Sequence, residues 1–221
     1  MSDAVILETM VGPVTLSDGA HDARIRQGNA GEILVADLNP SWYEHVVRGN
    51  AFVYATAAAG VTWVAATTTQ NMPMVWNPSG SGKNFVLKRV LAGYVSGAHV
   101  PGNLELGFLS NAGSQVGTAA PIVSLTQVAG KNLLIGAGNT TAMRFAPATV
   151  SVTTAPTYLC TLGYSFLTAL AATAATPFQM DFQCEIIVPP GNAIFVLHNV
   201  VSTIVGSIAM IGLELPLPPT A

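Results

Sequence analysis

Along this chain apolar and polar residues follow the rhythm of strands rather than helices. Met180, Phe182, Cys184 and Ile186 alternate with Asp181, Gln183 and Glu185. That period of two puts one set on a packed face and the other on a wet face. The strand around them, residues 176–188, turns at Pro189-Pro190-Gly191, continues through 192–198, and turns again before a last strand at 205–215. The same grammar of strand, Gly/Pro turn and strand holds from Met72 onward. Residues 73–76 lead into the loop Asn77-Pro78-Ser79-Gly80-Ser81-Gly82, and a long strand follows at 84–95. A hairpin around Gly97-Ala98-His99-Val100-Pro101-Gly102 returns through 104–109. Further strands are expected at 122–125, 132–135, 142–145, 149–153 and 158–166, while the Ala-rich stretch 167–176 reads equally as a helical turn or a loop. Many short strands at this spacing predict an all-β fold, a β-sandwich or jelly roll.

The first 70 residues differ. They hold seven of the eleven acids and the one good helix signal, in which Asn39 caps, Pro40 takes the first helical position and Gly49 the residue after the end. Short strands are expected at 11–16, 23–26 and 32–37, then at 51–57 and 61–66 on either side of Gly60. This apolar pattern is too broken for a complete core. The expected organisation is therefore an N-terminal arm or small subdomain at 1–70, with one short helix, docking on neighbouring subunits. Residues 71–221 then form the sandwich.

Composition sharpens the picture. Only 9% of the 221 residues are charged, against roughly a quarter in an ordinary soluble domain. Between Leu106 and Met180 the charged side chains are Lys131 and Arg144 alone. Half of the chain is hydrophobic, so disorder does not explain the missing charge. A surface this poor in charge is expected to be covered by copies of itself, by a larger assembly or by lipid. The net charge is −3 and the eight basic residues are scattered, which argues against a nucleic-acid partner, since binding phosphates needs a basic face. Residues 193–213 are uncharged and long enough to cross a bilayer. They contain His198, Asn199, Ser202, Thr203, Gly206 and Ser207 and lack flanking Lys or Arg, so two strands are expected there and no membrane partner. The start Met1-Ser2-Asp3-Ala4 is acidic where a secretory signal is basic, so the sequon Asn139-Thr140-Thr141 is expected to be idle. Cys160 and Cys184 make neither a disulfide framework nor a zinc site and are expected to be reduced, unpaired thiols.

Candidate chemistry is sparse. Gly80-Ser81-Gly82-Lys83-Asn84 superficially matches a phosphate loop, but it lacks the earlier Gly and has Asn84 where Ser or Thr must bind magnesium. His21, His45, His99 and His198 share no metal-ligand spacing. Glu105, Asp181, Glu185 and Glu214 are candidates for cross-strand pairing; Asp181 and Glu185, however, stand about 13 Å apart on one strand, too far for a glycosidase pair. There is no Gly-x-Ser-x-Gly elbow. The expectation is a non-enzyme with no cofactor, no metal and no catalytic residue. Trp42, Trp63 and Trp76, with Tyr43 and Tyr54, form either a carbohydrate-stacking platform or core and interface anchors. Their apolar neighbours favour anchors, with Trp42, Tyr43, Trp63 and Trp76 as the interface candidates.

The run Trp76-Asn77-Pro78-Ser79-Gly80-Ser81-Gly82-Lys83-Asn84-Phe85-Val86-Leu87, then Gly93-Tyr94-Val95-Ser96-Gly97, resembles small virion-associated structural proteins of tailed bacteriophages. Val188-Pro189-Pro190-Gly191-Asn192-Ala193-Ile194-Phe195 and Gly212-Leu213-Glu214-Leu215-Pro216 belong to the same likeness, which covers Met72 to Pro216. It implies a jelly-roll or sandwich subunit that decorates or cements a capsid, or attaches to the tail. It also implies a homo-oligomer, a trimer at first expectation, partnered by the major capsid protein or other virion proteins. The expected location is the virion, assembled in the host cytoplasm. The alternative is a receptor- or glycan-binding jelly-roll module of a phage tail or fibre.

Overall fold

The computed structural model describes residues 42–65, 69–70, 73–98, 101–148, 150–166, 178–200 and 203–217. The chain divides into two units, Met1–Tyr43 and Glu44–Ala221, and the described residues belong almost wholly to the second. The strands expected at 11–16, 23–26 and 32–37, the caps Asn39 and Pro40, and the ambiguous stretch 167–176 lie outside the described residues.

One helix, α1 (Tyr43–Val47), precedes the strands. It ends as its Gly predicts. Gly49 takes φ +70°, its amide donates to the Val46 carbonyl, and the Asn50 amide reaches back to His45, which closes the last turn. The strands follow in chain order: β1 (Ala51–Ala55), β2 (Val61–Thr62), β3 (Thr69–Gln70), β4 (Met74–Asn77), β5 (Lys83–Ser96), β6 (Gly102–Leu109) and β7 (Ile122–Leu125). Then come β8 (Lys131–Asn132), β9 (Arg144–Ala146), β10 (Val150–Val152), β11 (Thr157–Phe166), β12 (Phe178–Val188), β13 (Asn192–His198) and β14 (Val205–Pro216).

The fold is an all-β sandwich. One sheet runs β12-β5-β14-β1-β8, with β2 also pairing β14; the other runs β11-β6-β13-β4-β9. A small third sheet is β3-β10-β7. The pairing has a simple logic: β1 meets β14, β4 meets β13, β5 meets β12, and β6 meets β11, all antiparallel. The chain thus doubles back on itself as one long ribbon. Successive rungs of that ribbon go alternately to the two sheets, and β14–β5 and β13–β6 contacts close each sheet. Residues 110–156, the excursion between β6 and β11, add β8 beside β1 and β9 beside β4. The excursion therefore covers one lateral margin of both sheets, and β12 and β11 form the other margin.

A single cluster fills the space between the sheets, built on Phe52, Tyr54, Trp76, Phe85, Phe145 and Met210. Tyr54 sits at its centre, edge-on to Phe85 at 5.5 Å and tilted against Phe145 at 5.9 Å. Such buried rings carry most of the apolar area that drives folding. The boundary expected at residue 70 is corrected here. β1 is an interior strand between β14 and β8, and its Phe52 and Tyr54 belong to the core. Short as it is, β1 alternates inward aromatic and outward small residues, and this suffices for pairing on both sides. The uncharged stretch 193–213 contains β13 and β14, one in each sheet. No helix among the described residues is long and apolar enough to cross a membrane.

Candidate functional site

Of the sequence-selected aromatic residues, Trp63 and Trp76 do not share one site. Trp76 is fully buried; its indole donates to the Gly113 carbonyl at 3.2 Å, and the Arg144 guanidinium lies 4.9 Å from its ring centre. Trp63 is buried elsewhere, 6.0 Å from the His198 ring. Trp42 is half-buried, and Tyr43 at the start of α1 is exposed. His198 is itself a core residue whose Nδ1–H donates to the Val200 carbonyl at 2.8 Å. The loop that superficially matched a phosphate cradle is tied to its own stem. Asn77 Nδ2 donates to the Lys83 and Val188 carbonyls at 2.8 Å each, and the Ser81 hydroxyl donates to Asn77 Oδ1.

The most concentrated polar cluster surrounds Glu214 on β14, whose side chain has no solvent exposure. Tyr54 donates to Oε1 at 2.6 Å, and Thr141 donates to the same oxygen. The Ala142 amide donates to Oε2 at 2.9 Å and Lys83 Nζ at 3.3 Å. Burial pushes the Tyr54 hydroxyl well above its ordinary pKa, and the neighbouring carboxylate adds to the effect. Every oxygen of Glu214 is thus committed to donors from three separate segments. The cluster anchors the 110–156 excursion to β1 and β14.

On β12 a second cluster marks an interruption of the sheet. Asp181 pairs with Arg89 and Ile186 with Leu87, so residues 182–185 bulge opposite Lys88. Gln183 and Cys184 occupy the left-handed region at φ 49° and 69°. Asp181 holds the bulge through Arg89 at 2.8 Å and Lys88 at 3.2 Å, with the Gln183 amide donating to it at 2.9 Å. The Arg89 hydrogen bond, above all, lowers the Asp181 carboxyl to about 2. Cys160 and Cys184 are free and half-buried, and burial raises both thiols.

Apolar side chains reach solvent at both lateral margins. At the excursion margin, Leu134 and Ile135 follow β8, where a continued strand to residue 135 was expected. Instead the Ala137 amide bonds back to the Leu134 carbonyl at 3.0 Å and Gly136 adopts φ +89°. A turn with positive φ at its third residue calls for Gly there and projects the second side chain, and Ile135 is 96% exposed. At the other margin, Phe108, Leu159, Ile187, Val188 and Ile194 line a groove of about 340 Å³ with Glu185 at its rim. Ile187 is 56% exposed. Periodicity could not reveal either feature, because Leu133-Leu134-Ile135 reads as the end of a strand and Ile187 as one more alternating position. The informative signal was the Gly136 that closes the apolar run. Among the described residues, no group of three or more His, Cys, Asp or Glu is placed to hold a metal. No family model, no curated protein and no solved structure matches this chain.

Proposed function

We propose that this chain is a structural, non-catalytic subunit of a virus particle: a jelly-roll protein that decorates or cements the head of a tailed bacteriophage as a homo-oligomer. The observation that carries the reading is the strand order. A ribbon whose rungs pair β1 with β14, β4 with β13, β5 with β12 and β6 with β11, alternating between two sheets, supports a jelly roll, an architecture used by viral capsid domains and lectins. The nearly uncharged span from Leu106 to Met180 points the same way, since small, neutral side chains let subunits pack closely. The glycan-binding alternative gains nothing from Trp63 and Trp76, which serve the interior.

The test is removal and return. Particles that carry the protein are washed with mild chaotrope until it dissociates, and rupture under osmotic shock is compared before washing, after washing and after adding purified protein back. The expected result is earlier rupture when the protein is gone and recovery on rebinding. Particles of unchanged strength without it, or failure to rebind, would sink the cement reading.

A further inference from the structure

We propose that the groove between β11 and β12 receives the Leu134–Ile135 turn of a second copy of this chain, so that subunits join head to tail. This contact names the partner of the proposed assembly and rests on that reading. It begins with two exposed apolar features of opposite shape on one molecule, a projecting turn and a groove. Neither is a lone surface residue. The turn is rigidly built: the Leu134 amide is held by Asn132 Oδ1 at 2.8 Å, and Asn132 Nδ2 is fixed on the Gly49 carbonyl at 2.7 Å. A preformed knob loses little freedom on docking.

Position decides the occupant. Ile187 pairs with Val86, Val86 with Leu213 and Leu213 with Ala51, and the Leu133 amide donates to the Ala51 carbonyl. The groove and the knob therefore sit at the same height along the strands, at the two ends of one row. Four inter-strand steps separate them, about 19 Å. A copy turned about an axis parallel to the strands presents its knob at the height of the first copy's groove.

Charge agrees with shape. Lys131, exposed beside the knob, lies one residue from the level of Asn132 in β8, and Glu185 at the groove rim lies one residue from Ile186. Asn132 and Ile186 share a single row through Phe52, Gly212 and Leu87. The row of Lys131 itself runs through Val53, Ile211 and Arg89 to Asp181, beside the bulge that carries Glu185. Asp181 already holds Lys88 and Arg89, so Glu185 is the carboxylate there that seating the knob brings toward Lys131 of the next subunit. Both strands that flank the groove are irregular, β11 through repeated register shifts and β12 through its bulge. Simple strand-to-strand addition at that margin is thereby disfavoured, and side-chain insertion is left as the mode of contact. A contact between two different patches is heterologous and closes into a ring when the rotation allows.

Sedimentation velocity of the full-length protein at micromolar concentration tests this with Ile135→Asp and Ile187→Asp, both surface changes whose folding is checked by thermal melting. Each should weaken association by roughly thirty-fold or more, as loss of a central apolar contact does. Mixing the two variants should then yield a one-to-one complex, because the first retains a groove and the second a knob. Lys131→Glu and Glu185→Lys should each weaken assembly, and the double exchange should restore it. An oligomer indifferent to both Asp variants, or variants that fail to complement, overturns the contact and leaves the particle assignment standing. A monomeric wild-type protein also overturns the contact, while the rupture experiment judges the particle assignment on its own.

Discussion

Glu214 shows how much a single buried carboxylate organises. Tyr54, Thr141, Ala142 and Lys83 converge on it from β1, the 110–156 excursion and the start of β5. Glu214→Gln keeps the volume but sets an amide against several donors, and Tyr54→Phe removes one of them. Hydrogen bonds to a charged group contribute about 1.5–3 kcal/mol each, so each variant should lose that much in urea unfolding at neutral pH. Because the folded Tyr54 hydroxyl is raised, its contribution is complete below about pH 10 and declines above it. The alkaline decline should be shallower in Tyr54→Phe. Asp181 works in the opposite sense. Its carboxyl is lowered to about 2, so its stabilisation is present above the ordinary Asp value of about 3.9 and is lost as pH falls through about 2. The gap in melting temperature between the protein and Asp181→Asn should hold near neutrality and close across that acid window. None of these partnerships could be read from sequence, because Tyr54 and Glu214 stand at opposite ends of the chain. Lys83, in the run that superficially matches a phosphate loop, has its ammonium 3.3 Å from Glu214 Oε2.

Strands were far more legible than their neighbours. The alternation in β12, the turn at Pro189-Pro190-Gly191 and the bounds of β7 and β13 follow directly from period and punctuation. The bulge at 182–185 left no trace in the pattern, since exposure keeps alternating through it. β1 was harder still. Five residues behind a helix signal look peripheral, yet pairing with β14 and β8 puts them inside the sheet. A chain starting at Met72 should therefore fail to fold, for it exposes the edges of β14 and β8 and empties the positions of Phe52 and Tyr54. Circular dichroism melting and sedimentation would check it; a cooperative, monodisperse fragment would contradict the placement of β1. Gly206 illustrates a third kind of illegibility. It lies inside the expected strand 205–215 with no side chain of its own, and an added Cβ there would strike the Trp63 indole; the missing side chain leaves the space in which the ring packs.

At the scale of the whole molecule, one ribbon rolled into two sheets leaves a surface nearly bare of charge over a third of the chain, with apolar residues at both lateral margins. The proposed assembly with copies of itself rests on that combination. The all-β class was legible because it rests on local periodicity. The order of the strands was not, because it is set by pairings between residues far apart. The most direct measurement is the copy number of this protein in purified phage particles, by quantitative mass spectrometry against the major shell protein. A head-decorating subunit should appear in a fixed ratio to the shell protein that fits the symmetry sites of the shell. Absence from the particles, or only the few copies of a tail-tip component, would contradict it.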